Sequence, residues 1–202
     1  LTPGFELHNL QKGGLAVEKR AIELNRLDLQ PFSAFDPDGL LLVVGESVEK
    51  ANVMTIGWGT FGIMWRKPVV MAMVRPTRYT WEFISEAADF TVNWLSSDKK
   101  DALQLCGTAS GRDINKFAAA GLHPVQAGKV SSPILEESVL SLECRIIYKD
   151  LLRPEQFIDP LLELHYGQKD YHGLFYGEVV AATGTSAFLR KDEKDCTALH
   201  AD

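Results

Sequence analysis

Residues 67–83 read KPVVMAMVRPTRYTWEF. Lys67-Pro68 opens the stretch, and Val69–Val74 is a run of apolar, strand-forming residues. At Arg75-Pro76-Thr77-Arg78 the pattern changes. Thr77 or its neighbour can cap a helix running to about Ala88, with Phe83, Ile84, Ala87 and Ala88 on its apolar face. Two arginines three residues apart therefore sit where a strand hands over to a predicted helix. The chain as a whole is acidic, with formal net charge −6 and a sequence pI of about 5.4. Yet no Asp or Glu lies between Lys50 and Trp81, while Lys50, Arg66, Lys67, Arg75 and Arg78 do. Such a stretch is either a local positive field suited to a small anion or a solvated basic edge. Arg75 and Arg78 are its more specific part. The start of a helix favours an anion, and a guanidinium adds a forked pair of donors that matches phosphate. Thr77 and Thr80 either add hydroxyl donors or cap the helix.

Upstream, Asp36-Pro37-Asp38-Gly39 is a turn signal. Leu40–Val44 reads as a buried strand and Ala51–Trp58 as another. Downstream, Phe90–Leu95 is a strand, and Ser96 or Ser97 can cap a helix to about Cys106. Arg112–Ala120 reads as a short helix ended by Gly121. Val139–Tyr148 alternates, with Leu140, Leu142, Cys144 and Ile146 on one face. Leu161–Tyr166 is a short helix after Asp159-Pro160, and Leu174–Ala182 is a last long strand. The fold class is mainly β with helices inserted between short strands. The regular strand–helix alternation of a doubly wound sheet is missing, so a closed or partly closed antiparallel barrel is expected. Residues 1–26 read as an extension with a short helix near Val17–Leu24. The packed domain spans 27–190, and 191–202 is an acidic tail.

The 202 residues suit one domain large enough to bury its own core. The acidic balance argues against a nucleic-acid binder. Cys106, Cys144 and Cys196 form no CxxC pair and read as free thiols of a reducing compartment, with Cys144 a small buried hydrophobe. No apolar run reaches the ~18–20 residues that span a bilayer. No secretory signal is visible, although the chain begins at Leu1 rather than Met. The cytoplasm is the expected compartment, and no membrane association is expected.

Four further segments are candidates for chemistry. Asn52–Gly59 joins strand-forming residues to two glycines one residue apart. It is either a strand whose bare backbone approaches a flat polar ligand or a barrel bend with a packed tryptophan. Gly57, Gly59 and Gly62 formally match G-x-G-x-x-G, but Lys67-Pro68 follows five residues later without an amphipathic helix between, which excludes a dinucleotide-binding loop. Ser110-Gly111-Arg112-Asp113 is either an anion or partner site at a helix start or a plain turn with a surface ion pair. His172, before the last strand, is an acid, a base, a hydrogen-bond donor or simply structural. His165 and His172 have no third ligand at metal spacing, so no metal site is expected. There is no Walker loop and no G-x-S-x-G.

Taken together, NVMTIGWG at 52–59, KPVVMAMVRPTRYTWEF at 67–83, FTVNWL at 90–95, CGTASGRDINKF at 106–117 and DYHGLFYGEV at 170–179 resemble the flavin reductase-like, FMN-binding split-barrel family, in its flavoredoxin-like branch. The resemblance spans roughly residues 27–182. It implies a six-stranded Greek-key barrel, a homodimer, and FMN in a cleft near the dimer interface. On that resemblance Met54, Thr55, Ile56, Gly57 and Trp58 line the flavin ring and ribityl chain, largely through backbone groups. Arg75, Arg78, Tyr79 and Thr80 hold the phosphate, and Ser110, Gly111, Arg112 and Lys116 form the next ligand-side segment. His172 stands where a nicotinamide or electron partner approaches. The implied activity is reduction of FMN by NADH or NADPH with electrons passed to an acceptor. One alternative is a flavoredoxin-like electron carrier served by a redox partner protein. Another is a barrel that has lost its flavin, against which the intact Arg75/Arg78 pair counts.

Overall fold

The structure is a computed structural model in which residues 18–190 are described. The strands are β1 (Arg20–Ala21), β2 (Leu40–Gly45), β3 (Ala51–Ile56), β4 (Gly59–Met64), β5 (Lys67–Val74), β6 (Asp89–Leu95), β7 (Pro124–Val125), β8 (Ile134–Leu135), β9 (Ser138–Leu151) and β10 (Gly173–Gly184). Four helices, α1 (Pro31–Ala34), α2 (Thr80–Ile84), α3 (Lys100–Thr108) and α4 (Lys116–Ala120), lie between them. One antiparallel sheet runs in the order β3-β2-β6-β9-β10-β5-β4, with β1 added to β10. Strands β3 and β4 are consecutive in the chain but lie at opposite ends of this order. The sheet curls until β3 and β5 touch, making a barrel with a split beside the Gly57-Trp58 crossing.

Burial explains why these segments are strands. The run Leu40–Val44 is continuously apolar because β2 is buried on both faces. Leu40, Leu42 and Val44 face the barrel interior with Val70, Phe90, Leu142 and Cys144. Leu41 and Val43 face outward into a second core with Val53 and with Ala102, Leu103 and Cys106 of α3. That outer core fixes α3 against β3, and so positions the loop that follows α3. Leu140, Leu142 and Cys144 share the barrel interior, with Ile146 packed at its margin.

The structure corrects four expectations. Seven long strands replace six, because the chain turns at Gly57-Trp58 and continues as β4. The β4–β5 hairpin turns on Trp65 and Arg66, both with positive φ (51° and 60°), the conformation a two-residue hairpin of type I′ requires. Neither residue type signals that turn. The packed region also begins before Leu27. Arg20–Ala21 pairs with β10, Ile22 is buried in the barrel core, and its N–H bonds the Ala182 carbonyl at 2.9 Å, so 20–26 packs on the barrel as a short strand followed by one 3-10 turn, Leu24–Arg26. The helix expected over Thr77–Ala88 is only Thr80–Ile84, since Thr77 turns its hydroxyl to Asp170 rather than capping. Finally, α4 starts at Lys116, not Arg112, with Asn115 as its cap and Gly121 ending it at φ 61°. Residues 1–17 and the tail 191–202, with Cys196, lie outside the described residues.

Candidate functional site

Two adjoining cavities open at the split, and Met54 and Arg78 line both. The first is walled by Arg78, Tyr79 and Thr80 from one side and, from the other, by the end of α3 and the connection after it, Cys106–Arg112, with Lys116. The second is walled by Thr55, Ile56, Gly57 and Trp58 at the end of β3, and by Met73, Arg75 and His172. Every sequence-predicted site residue therefore lines one of the two.

The first cavity is cationic. Lys116 is 5% exposed, and its ammonium donates to the Cys106 carbonyl at 3.1 Å. No carboxylate pairs with it among the described residues. Burial pushes its pKa below the ordinary lysine value, and the charge of Arg78 adds to this. Cys106 gives no real offset: burial pushes its thiol up to about 11, so it stays protonated and is no nucleophile. Arg78 likewise has no side-chain ion pair among the described residues. Arg112 stands at the rim, its guanidinium 5.0 Å over the Tyr79 ring and paired with Glu82. Gly111 lies so close to its neighbours that an added Cβ would be 2.4 Å from Asn52 Oδ1 and 2.7 Å from Tyr79. Asn52, itself buried, donates to Thr80 Oγ1 at 2.7 Å and ties β3 to α2. Because α2 and α4 are single short turns, side chains rather than helix dipoles make this cavity positive.

In the second cavity β3 offers mainly backbone. Ile56 points into the core, Thr55 Oγ1 donates to the Leu103 carbonyl behind the strand, and nothing lies within 4 Å of a Cβ built on Gly57. Trp58 is 40% exposed, with His165 and His172 at ring centroid distances of 5.2 and 5.1 Å. Arg75 is committed elsewhere than expected. It pairs with Asp170 (2.7 Å), donates to the His165 carbonyl (2.9 Å) and lies 4.9 Å over the Tyr166 ring. Burial acts to raise the Asp170 carboxyl, but Arg75 and the bonds it accepts hold it below the usual range. Arg75 thus pins the 165–170 segment beside the cleft, and Arg78 alone of the pair faces the cationic cavity. The rest of the basic stretch does not converge there: Lys50 pairs with Glu46, Lys67 with Glu178, and Arg66 turns the β4–β5 hairpin. Sequence reasoning missed Met73 and Tyr166, and it reached Asn52 only as the first residue of a candidate strand. Tyr166 shows no signal beyond being an aromatic at the end of a short turn.

His172 is 8% exposed, and burial, then the charges of Arg75 and Arg78, push its pKa down to about 4 against the opposing Asp170. It is neutral at pH 7. The sign of the linkage follows: the unfolded chain takes a proton near 6.5 while the fold resists it until about 4, so stability is lost as pH falls through that window. Urea midpoints at pH 7 and 4.5 should show His172→Gln losing less stability on acidification than the wild type, by up to about 3 kcal/mol. Equal acid losses in the two proteins would mean that His172 is not held neutral by the fold.

A curled antiparallel sheet, split where a cationic cavity meets a backbone-lined cleft, defines a mainly β split barrel. The chain belongs to the flavin reductase-like domain family, whose model matches residues 36–196. It is 27% identical over 147 residues, 72% of this chain and 69% of the relative, to the uncharacterized protein YddH of Escherichia coli. Its fold is shared with an FMN-binding domain of a flavin reductases-like enzyme from Shewanella baltica (TM-score 0.62, 20% identity, 86% of this chain and 80% of that one). It is shared too with the flavoredoxin of Desulfovibrio vulgaris (TM-score 0.59, 23% identity, 82% and 79%). Among the described residues no helix is long and apolar enough to cross a membrane.

Proposed function

We propose that this protein is an FMN-binding oxidoreductase that passes electrons from NADH or NADPH through FMN to an acceptor. The observation that carries the reading is Lys116, a buried ammonium facing a cavity shared with Arg78, neither of them having a carboxylate partner among the described residues. Burying a lone cation is costly unless an anion completes the site, and a phosphate supplies that anion. Lys116, Arg78 and Arg112 would hold it, with hydroxyls from Thr80 and Ser110. The adjoining backbone of Met54–Trp58 would take the flat ring. When bound, FMN supplies the redox chemistry; the chain's own residues bind, orient and shield. Tyr79 supports Arg112 by stacking, and neutral His172 offers a hydrogen bond at the open side of the cleft.

The exposed apolar residues Ile63, Trp65, Leu151, Ile158, Leu161 and Leu164 support a homodimer, since a single chain leaves them in water. A cytoplasmic setting fits two described cysteines that are both free. The likeness to flavoredoxin supports a second reading, an electron carrier reduced by a partner protein.

The test is a visible spectrum after incubation with FMN and removal of free ligand, followed by NADH and then NADPH without air. Retained flavin that bleaches is the expected result and identifies the donor. Retained flavin that bleaches only with a protein donor selects the carrier. No retained flavin and no turnover with excess FMN would overturn both. Light scattering on the same sample should give about twice the 22.4 kDa chain mass; a monomer mass would remove the dimer.

A further inference from the structure

Tyr166 closes the 3-10 turn Pro160–Tyr166 and is buried. Its ring stacks on Phe157 (centroids 5.8 Å apart, 18° between planes) and takes the Arg75 guanidinium on its face. Its hydroxyl lies 2.8 Å from His172 Nδ1, and either atom can be the donor. The surroundings decide between them. Were Nδ1–H the donor, the Tyr166 hydroxyl proton would have no acceptor among the described residues, and a buried donor left unpaired is costly. With the hydroxyl as donor, Nδ1 accepts and the ring proton sits on Nε2, since the bond made by one nitrogen sets the state of the other. Nε2 has no protein partner among the described residues, and no fully buried polar side-chain atom lacks a partner. Nε2–H is therefore not sealed in the protein, and His172 lines the cleft beside Trp58.

We propose that Tyr166 is a positioning residue that fixes His172 as a hydrogen-bond donor toward the cleft, so that the ligand atom met beside Trp58 is an acceptor, such as a carbonyl oxygen, and not an N–H group. The ligand half of this inference rests on the cleft being the flavin site; the tautomer half does not. The first cavity imposes no such choice, because its cations recognise charge rather than the donor–acceptor pattern of a ring. The selection works by exclusion: a ligand N–H facing Nε2–H would set two donors against each other, and neither would gain a bond there.

The test uses full-length protein with 15N-labelled histidine at pH 7, with the His172 signals assigned by their loss in His172→Gln. Without flavin, the wild type should show a protonated Nε2 and an Nδ1 that accepts a hydrogen bond. In Tyr166→Phe, which keeps the stacked ring, the Nδ1 signal should move to that of an unbonded acceptor. A protonated Nδ1 in the wild type, or identical His172 signals in the two proteins, overturns the positioning role. Should Tyr166→Phe fail to fold, the wild-type tautomer decides alone. FMN is then added, and its binding read separately by absorbance. A downfield move of the Nε2–H proton is expected, and an unmoved proton with FMN bound overturns the acceptor assignment. The FMN affinity of Tyr166→Phe should fall by about 2–10-fold. Absence of FMN binding to the wild type would overturn the functional reading instead, leaving the flavin-free signals to judge the tautomer.

Discussion

Arg78→Ala should weaken FMN binding by about 10–150-fold, measured by flavin fluorescence titration, with the denaturation midpoint little changed. The range is that of one charge-assisted contact to a phosphate, about 1.5–3 kcal/mol. Stability should hold because Arg78 has no side-chain ion pair among the described residues to lose, and its removal relieves some repulsion on buried Lys116. Arg75→Ala is the control, and its effects should be reversed. Arg75 holds Asp170 at 2.7 Å, with side-chain exposures of 22% and 12%. Removing it strands a largely buried carboxylate and frees the 165–170 segment, at a cost of about 1–3 kcal/mol in folding stability. FMN affinity should fall less than in Arg78→Ala. If Arg75→Ala costs the greater affinity and Arg78→Ala the greater stability, the two arginines have been given each other's roles.

This division of labour was not legible in the sequence. Arg75 and Arg78 look equivalent there, and what separates them is Asp170, 95 residues from Arg75. Local pattern carries propensity, not a partner that distant. Lys116 is a similar case. The resemblance put it on the ligand side, but no local pattern shows its burial, which comes with α3 packing on the outer face of β2 and β3. What the sequence did show was whatever local physics decides. The unbroken Leu40–Val44 run marked a strand buried on both faces, and Gly121 marked a helix end in the left-handed region. The loss of β4 has the same root. Trp65-Arg66 is a tight turn without a turn residue, so the strand before it had no visible end. Arg75 and Arg78 both line the second cavity, because a strand end at a barrel split is where bare backbone and charged side chains can meet.

The barrel itself should be most sensitive at the crossing of Phe90 and Gly177. Phe90 is fully buried on β6, and Gly177 lies on β10, two strands away across β9. A Cβ at Gly177 would be 2.6 Å from the Phe90 ring and 2.7 Å from Cys144 Cβ. The glycine thus lets the ring extend across β9, at a point where the β9–β10 register shifts between Tyr176 and Gly177. Phe90→Ala should cost about 3–5 kcal/mol, a large part of the ~5–15 kcal/mol typical of a domain. Gly177→Ala should cost about 1–3 kcal/mol by overpacking. Together they should cost less than the sum, by about 0.5–2 kcal/mol, because the new methyl enters the space the ring vacates. Urea midpoints of the four proteins measure this directly. Strict additivity would mean that Phe90 and Gly177 do not share that space. The consequence reaches the site, since β10 begins at Gly173, next to His172, and pairs with β5 up to Val74, next to Arg75. A barrel loosened at this crossing should lose flavin affinity along with stability, whereas Arg78→Ala loses affinity alone.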